Sequence, residues 1–179
     1  VMFDARFPRQ VYADYDSIPP VLAQSLLFVE DRQLIEKQAN THNNAINWGR
    51  FAKAARDQLL KKIHIGGNAP GGSTLATQTE KFRHSPDGIT RTGTEKLEQM
   101  LTASTRNYSG GRDTREAGQR IVLDYLNSIP LSSFPGAGEI TGFGDGMVAW
   151  FGADFAEANR LLKKPDSQMD DAELKRAAY

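Results

Sequence analysis

Apolar positions recur at helical rather than strand spacing along most of the chain. After Ser17, a capping residue, and the prolines at 19 and 20, Val21, Leu22, Ser25, Leu26 and Val29 share one helical face, so the pattern predicts a helix ending near Glu30, Asp31 and Arg32. Residues 36–46 are polar and rich in Asn, which predicts a loop. Asn47 caps a second predicted helix, carrying Trp48, Phe51, Ala52, Ala55 and Leu59 on one stripe and ending near Lys62. The stretch IHIGGNAPGGS is too rich in glycine for a regular element, after which Ser73 or Thr74 caps a helix through about Phe82. Thr94 opens a further amphipathic helix, with Leu97, Met100, Leu101 and Ser104 expected on the inner side and Glu95, Lys96, Glu98 and Gln99 on the outer. RIVLDYLN resumes the helical pattern, IPLSSFPGAGEITGFG reads as a Gly and Pro loop, and DFAEANRLLKK and DDAELKRAAY predict two short helices. No run alternates like a paired strand and no internal repeat is visible, so the predicted fold is mainly α.

Composition narrows the function. The 179 residues suffice for one domain with a real core, and the whole chain, 1–179, reads as a single domain. Lys plus Arg equals Asp plus Glu at 22 each, and this zero net charge argues against a nucleic-acid partner, whose binding domains carry a basic excess. The absence of cysteine excludes disulfides, thiolate zinc sites and a Cys nucleophile, and leaves the redox compartment open. His42, His64 and His84 have no ligand spacing, so no protein metal site is expected. No run is apolar and long enough to span a membrane, and no signal peptide opens the chain. With charges already at Asp4 and Arg6 and an end inside a helical pattern, the chain reads as a piece of a longer protein whose anchor lies elsewhere.

Three clusters carry candidate chemistry. In VEDRQL, Leu27, Phe28 and Val29 precede Glu30 and can desolvate it for use as a general base, while Arg32 can hold an anion; the bland alternative is a solvated helix end. In PGGSTLATQTEKF, glycines before Ser73 and Thr74 expose amides and hydroxyls at a helix start, and Gln78 and Lys81 follow on roughly the same side. This suits a phosphate-like anion, or else is an ordinary capped helix; it is not a Walker A loop, because no second glycine stands beside Lys81. In RTGTEKLEQM, Glu95 and Gln99 share a face with Lys96 a quarter turn away, which alone is equally well a solvated charged face.

Taken in order from about Ile18 to Gly152, these segments resemble the peptidoglycan glycosyltransferase family, family 51, the transglycosylase domain of class A penicillin-binding proteins and of monofunctional transglycosylases. The family's EDRxFxxHxG appears as EDRQLIEKQA, keeping Glu30, Asp31 and Arg32 but with Leu34 for Phe and Lys37 for His. Its GGSTITQQxxKN appears as GGSTLATQTEKF, keeping Gly71, Gly72, Ser73, Thr74, Gln78 and Lys81, with Thr77 at the first Gln and Phe82 at the Asn. RKxxE aligns with residues 95–99, so Lys96 is kept and Gln99 replaces the second glutamate. ILExYLN becomes IVLDYLN with Leu123 at the glutamate, and YFG becomes WFG at 150–152.

The resemblance implies a lysozyme-like helical domain with a substrate cleft that polymerises lipid II into glycan strands and releases undecaprenyl diphosphate. It assigns the base to Glu30 and the diphosphate to Ser73, Lys81, Lys96 and Arg91, with Asp31, Arg32, Gly72, Thr74 and Gln78 completing the substrate-binding set. The second carboxylate's role passes to Gln99 only as a neutral amide, so Glu95 joins the catalytic candidates and Glu98 lies near. No cofactor is implied beyond a divalent cation, magnesium or manganese, at the diphosphate. The expected partners are lipid II, the nascent glycan strand and, through segments outside this chain, the membrane surface. The expected location is the extracytoplasmic, periplasmic face of the bacterial inner membrane. The segment corresponding to the family's apolar membrane-contacting stretch, KQANTHNN, is polar, which leaves weak bilayer contact to Ile63 and Ile65. Two other readings compete: a pseudoenzyme that binds glycan or lipid-linked precursor without turnover, suggested by Thr77, Gln99 and Leu123, and a lysozyme-like glycan-cleaving enzyme.

Overall fold

The computed structural model describes residues 9–32, 34–35, 45–46, 49, 52–53, 56, 73–84 and 92–178. Most of the predicted helix from Asn47 to Lys62 lies outside them, as do Gly72, Arg91, the KQANTHNN segment, Ile63 and Ile65. The chain forms two compact units, Val1–Phe28 with Val122–Tyr179, and Val29–Ile121. The fold is mainly helical, as a lysozyme-like transglycosylase domain requires.

Helix α1, Pro20–Glu30, begins in the first unit and ends on Glu30 in the second. The second unit is built on α2, Leu75–His84, and α3, Gly93–Asn107. Thr74 and Thr77 cap α2 reciprocally: the Thr74 N–H donates to the Thr77 hydroxyl at 2.9 Å, and the Thr77 N–H donates to the Thr74 hydroxyl at 3.3 Å. Thr92 caps α3 by accepting from the Glu95 N–H at 3.1 Å. Small residues let the two helices approach, with Ala76, Met100 and Ala103 packing around Ala45 and Ile46 and against Ile121. Lys96 reaches Ser73 before the start of α2, whereas Arg106, near the end of α3, pairs with Glu80 at 3.1 Å, so the two helices run in the same direction.

The inner face of α3 differs from the expected one. Leu97 and Leu101 are 55% and 59% exposed, while Gln99, Met100, Ala103 and Asn107 are buried and Lys96 is half-buried. Positions 96, 99, 100, 103 and 107 form a regular helical stripe, but most of it is polar. The hydrophobic rule chose the opposite side because here polar side chains are turned inward toward polar partners.

Helix α4, Arg115–Ser128, begins in the second unit and ends in the first, which continues with strands β1, Pro130–Phe134, and β2, Gly138–Thr141, then α5, Phe143–Phe151, α6, Phe155–Lys163, and α7, Asp171–Ala178. The strands pair antiparallel, with Phe134 opposite Gly138, Ser133 opposite Glu139 and Pro130 opposite Thr141. This hairpin corrects the loop expected from IPLSSFPGAGEITGFG. It leaves little sequence trace because only Ile140 in either strand is fully buried, so no apolar alternation is needed. Gly142 follows at φ 93, where any side chain would also meet the Asn127 carbonyl.

The segment entering this unit is tied down by side chains. The Tyr12 N–H donates to Asn127 Oδ1 at 2.9 Å, and Asn127 Nδ2 donates to the Tyr12 carbonyl at 2.8 Å, as a neighbouring strand would. Arg9 donates to the Asn127 carbonyl at 3.0 Å, and the Gln10 N–H donates to Asp145 at 2.6 Å. The Tyr12 hydroxyl donates to Asn159 at 2.9 Å, and burial pushes its pKa up to about 12 against the opposing effect of that bond. Beyond it, Arg160 and Lys164 of the α6 end both donate to Glu173 of α7.

Candidate active site

Glu30 is the last residue of α1 and is half-buried. Its Oε2 accepts a hydrogen bond from Nε2 of Gln78, on α2, at 3.0 Å. One turn further along α2 stands Lys81, and its charge acts on Lys96 of α3. The Lys96 ammonium donates to the Ser73 hydroxyl oxygen at 2.7 Å, leaving the hydroxyl proton of Ser73 to be donated elsewhere. Burial, and secondarily the Lys81 ammonium, hold the Lys96 pKa below its usual value. Two half-buried ammonium groups that act on one another define a place where an anion is worth more than it would be in bulk water.

The other candidates distribute around this pair. Asp31 is half-buried in the turn after α1, where its carbonyl accepts from the Leu34 N–H, and Arg32 is exposed. Thr74 is 2% exposed and its hydroxyl donates to the Ala45 carbonyl at 2.6 Å while accepting from Thr77, so its oxygen is engaged in holding α2. Gln99 is buried on the same α3 stripe as Lys96, and Glu95 is half-buried. Gly72 and Arg91 lie outside the described residues.

One departure from the family motifs and one retained segment acquire physical explanations. Thr77 stands where the motif has glutamine, at the third position of α2, and closes a capping box that Gln or Glu usually completes there. The retained Tyr125, Leu126 and Asn127 are structural, the first two buried and the third clasping Tyr12. What the sequence did not disclose is the contact from Gln78 to Glu30 across 48 residues. Periodicity within a helix carries no information about such a pairing.

The donor set of Lys81, Lys96 and Ser73 suits an anion and does not fit a divalent cation held by the protein. Among the described residues no group of three His, Asp or Glu side chains is placed to hold a metal. No helix among them is long and apolar enough to cross a membrane.

The mainly helical fold thus holds a carboxylate, Glu30, against Gln78 of α2, and two lysines, Lys81 of α2 and Lys96 of α3, close enough to act on one another. The transglycosylase family model matches residues 3–168, and the chain belongs to this family, the transglycosylase domain of family 51 glycosyltransferases. No curated protein matches the chain significantly. Membership supports a peptidoglycan glycosyltransferase function at the level of the family, in cell-wall synthesis.

Proposed function

We propose that this domain polymerises lipid II, with Glu30 as general base and Ser73, Lys81 and Lys96 as the seat of the donor's diphosphate. The observation that carries the reading is that α2 links both halves of such a site. Gln78 holds the carboxylate of Glu30, and Ser73 and Lys81 meet the half-buried Lys96. Glu30 takes the proton from the acceptor's 4-hydroxyl as that oxygen bonds to C1 of the donor. The C1–O bond to undecaprenyl diphosphate breaks, and the leaving group departs with the electron pair into the cationic site. Arg32, Asp31, Gly72, Thr74 and Arg91 complete the substrate-binding region, Thr74 by fixing α2. Glu95 and Gln99 line the lysine side of the reaction, where Gln99 supplies hydrogen bonds without charge. The reaction belongs at the extracytoplasmic membrane face.

Incubating the whole chain with lipid II and separating polymer from precursor tests this reading. Polymer is expected, and Glu30→Gln is expected to lower its rate by ~10² or more with the fold intact, the scale of a lost general base. Bound but unreacted lipid II in the unaltered protein would identify a pseudoenzyme, which the neutral, buried Gln99 favours. Shortening of preformed glycan would identify a hydrolase.

A further inference from the structure

We infer that Gln78 is a positioning residue for Glu30, holding the base through its charged and its protonated state, rather than a contact to substrate. The inference rests on the reading of Glu30 as the base. Glu30 ends α1, and the end of a helix offers a side chain carbonyls rather than a free N–H donor. The Gln78 amide supplies that donor from α2, at 3.0 Å. The placement of α2 is itself fixed, by the reciprocal Thr74 and Thr77 cap and by the bond from Thr74 to Ala45.

The choice of an amide has chemical content. An ionised carboxylate only accepts, so Gln78 must present its NH2 group to it, and one carboxylate oxygen is then held while the other retains lone pairs for a substrate proton. When the other oxygen has taken the proton, the held oxygen becomes the carbonyl of a neutral acid and still accepts from the same NH2 group. Lysine at position 78 would pair with the carboxylate as an ion and reduce its basicity. The lysine of this helix stands one turn on, at 81, where its charge acts on Lys96 instead. Helix α2 therefore separates a neutral contact to the base from a charged contact to the anion.

Lipid II polymerisation by the whole chain, compared among the parent, Gln78→Ala, Glu30→Gln and the double variant, tests the kinetic half. Gln78→Ala is expected to lower kcat about tenfold with KM unchanged, the loss of one orienting contact. In the Glu30→Gln background it is expected to cost nothing more, because there is no base left to orient. Gln78→Lys is expected to lower kcat at least as far as Gln78→Ala. A raised KM with kcat kept, or a Gln78→Ala penalty that persists unchanged in the Glu30→Gln background, would overturn the inference in favour of a substrate contact. Side-chain amide NMR supplies a readout that needs no turnover and no altered Gln78. In Glu30→Ala the Gln78 NH2 signals should move toward free-amide values. If the parent makes no polymer, the proposed function fails, and these signals alone decide the pairing: movement supports it and unchanged signals overturn it. If polymer forms while the signals stay put, the positioning role is overturned and the glycosyltransferase reading survives.

Discussion

The two compact units hold their chain in different ways. In Val29–Ile121 the interior admits many polar groups: Thr74, Thr77, Thr79, Glu80, Gln99, Asn107 and Thr114 are all buried beside a modest apolar cluster. The three threonines of α2 and its cap have short-range partners, as with Thr79 to the Leu75 carbonyl, and Glu80 pairs with Arg106, but the Asn107 side chain is enclosed without one among the described residues. In Val1–Phe28 with Val122–Tyr179, Glu173 is the buried charged residue among those described, and the long-range ties join side chains to a passing backbone. The difference teaches where each unit spends its polar groups. One encloses them in its interior, where each costs stability unless satisfied, and the other uses them to fasten a segment.

That contrast can be broken most sharply at Asn127. Asn127→Ala should leave the Tyr12 N–H and carbonyl without their partner and cost about 2 kcal/mol, seen as a lower urea midpoint, with pyrophosphate binding unchanged. Equal loss of both would mean that the two units do not divide the labour as described. Lys96→Met should do the reverse, weakening binding of inorganic pyrophosphate about tenfold with little change in the urea midpoint, since a charge-assisted contact is removed along with a desolvated charge.

Lys96 also gives a pH signature. Its folded pKa lies below 10.5, so between that lowered value and 10.5 the unfolded chain holds a proton that the folded chain has lost. Stability contributed by this group therefore rises with pH across that window, whereas pyrophosphate affinity falls there as the ammonium is neutralised; a calorimetric pH series reads both. Glu173 has the opposite placement in pH. Hydrogen bonds from Lys164 and then Arg160 hold its carboxyl at about 2 against an ordinary 4.5. Its contribution is complete above 4.5 and is lost as pH falls from 4.5 toward 2, so hydrogen exchange in α7 should quicken in that range, and Glu173→Gln should remove the dependence. The smallest effect is expected at Thr77. Thr77→Gln should shift stability by less than about 0.5 kcal/mol because either residue closes the cap, whereas Thr77→Val should cost about 1 kcal/mol.

Much of the helical order was legible because caps and apolar spacing coincide. Pro20 to Glu30, the α2 start at Thr74 and the two terminal helices α6 and α7 follow their sequence signals, but Ser17 does not cap α1: its hydroxyl donates to the Asp14 carbonyl and closes the preceding turn, Tyr15–Ser17. The β1–β2 hairpin was not, since a nearly exposed pair of strands needs no pattern of buried residues. The inner face of α3 was misread for a related reason: Leu97 and Leu101 lie outside while Lys96, Gln99 and Asn107 turn in. The motifs disclosed which residue types meet at the candidate site, Glu30, Ser73, Lys81 and Lys96 among them. They did not disclose that Thr74 and Thr77 serve α2 itself, or that Gln78 reaches Glu30, because both depend on which elements fold against one another.

The shared direction of α2 and α3 has an electrostatic consequence. Antiparallel neighbours would set the positive pole of one helix beside the negative pole of the other and largely cancel their fields. Here both amino-terminal poles fall at the Ser73 and Lys96 end, each equivalent to roughly half a positive charge. Both negative poles fall toward Arg106, which answers them with its guanidinium. The carboxyl-terminal pole of α1 meanwhile bears Glu30. On the proposed reading, the backbone alone thus draws a gradient from the general base to the seat of the diphosphate.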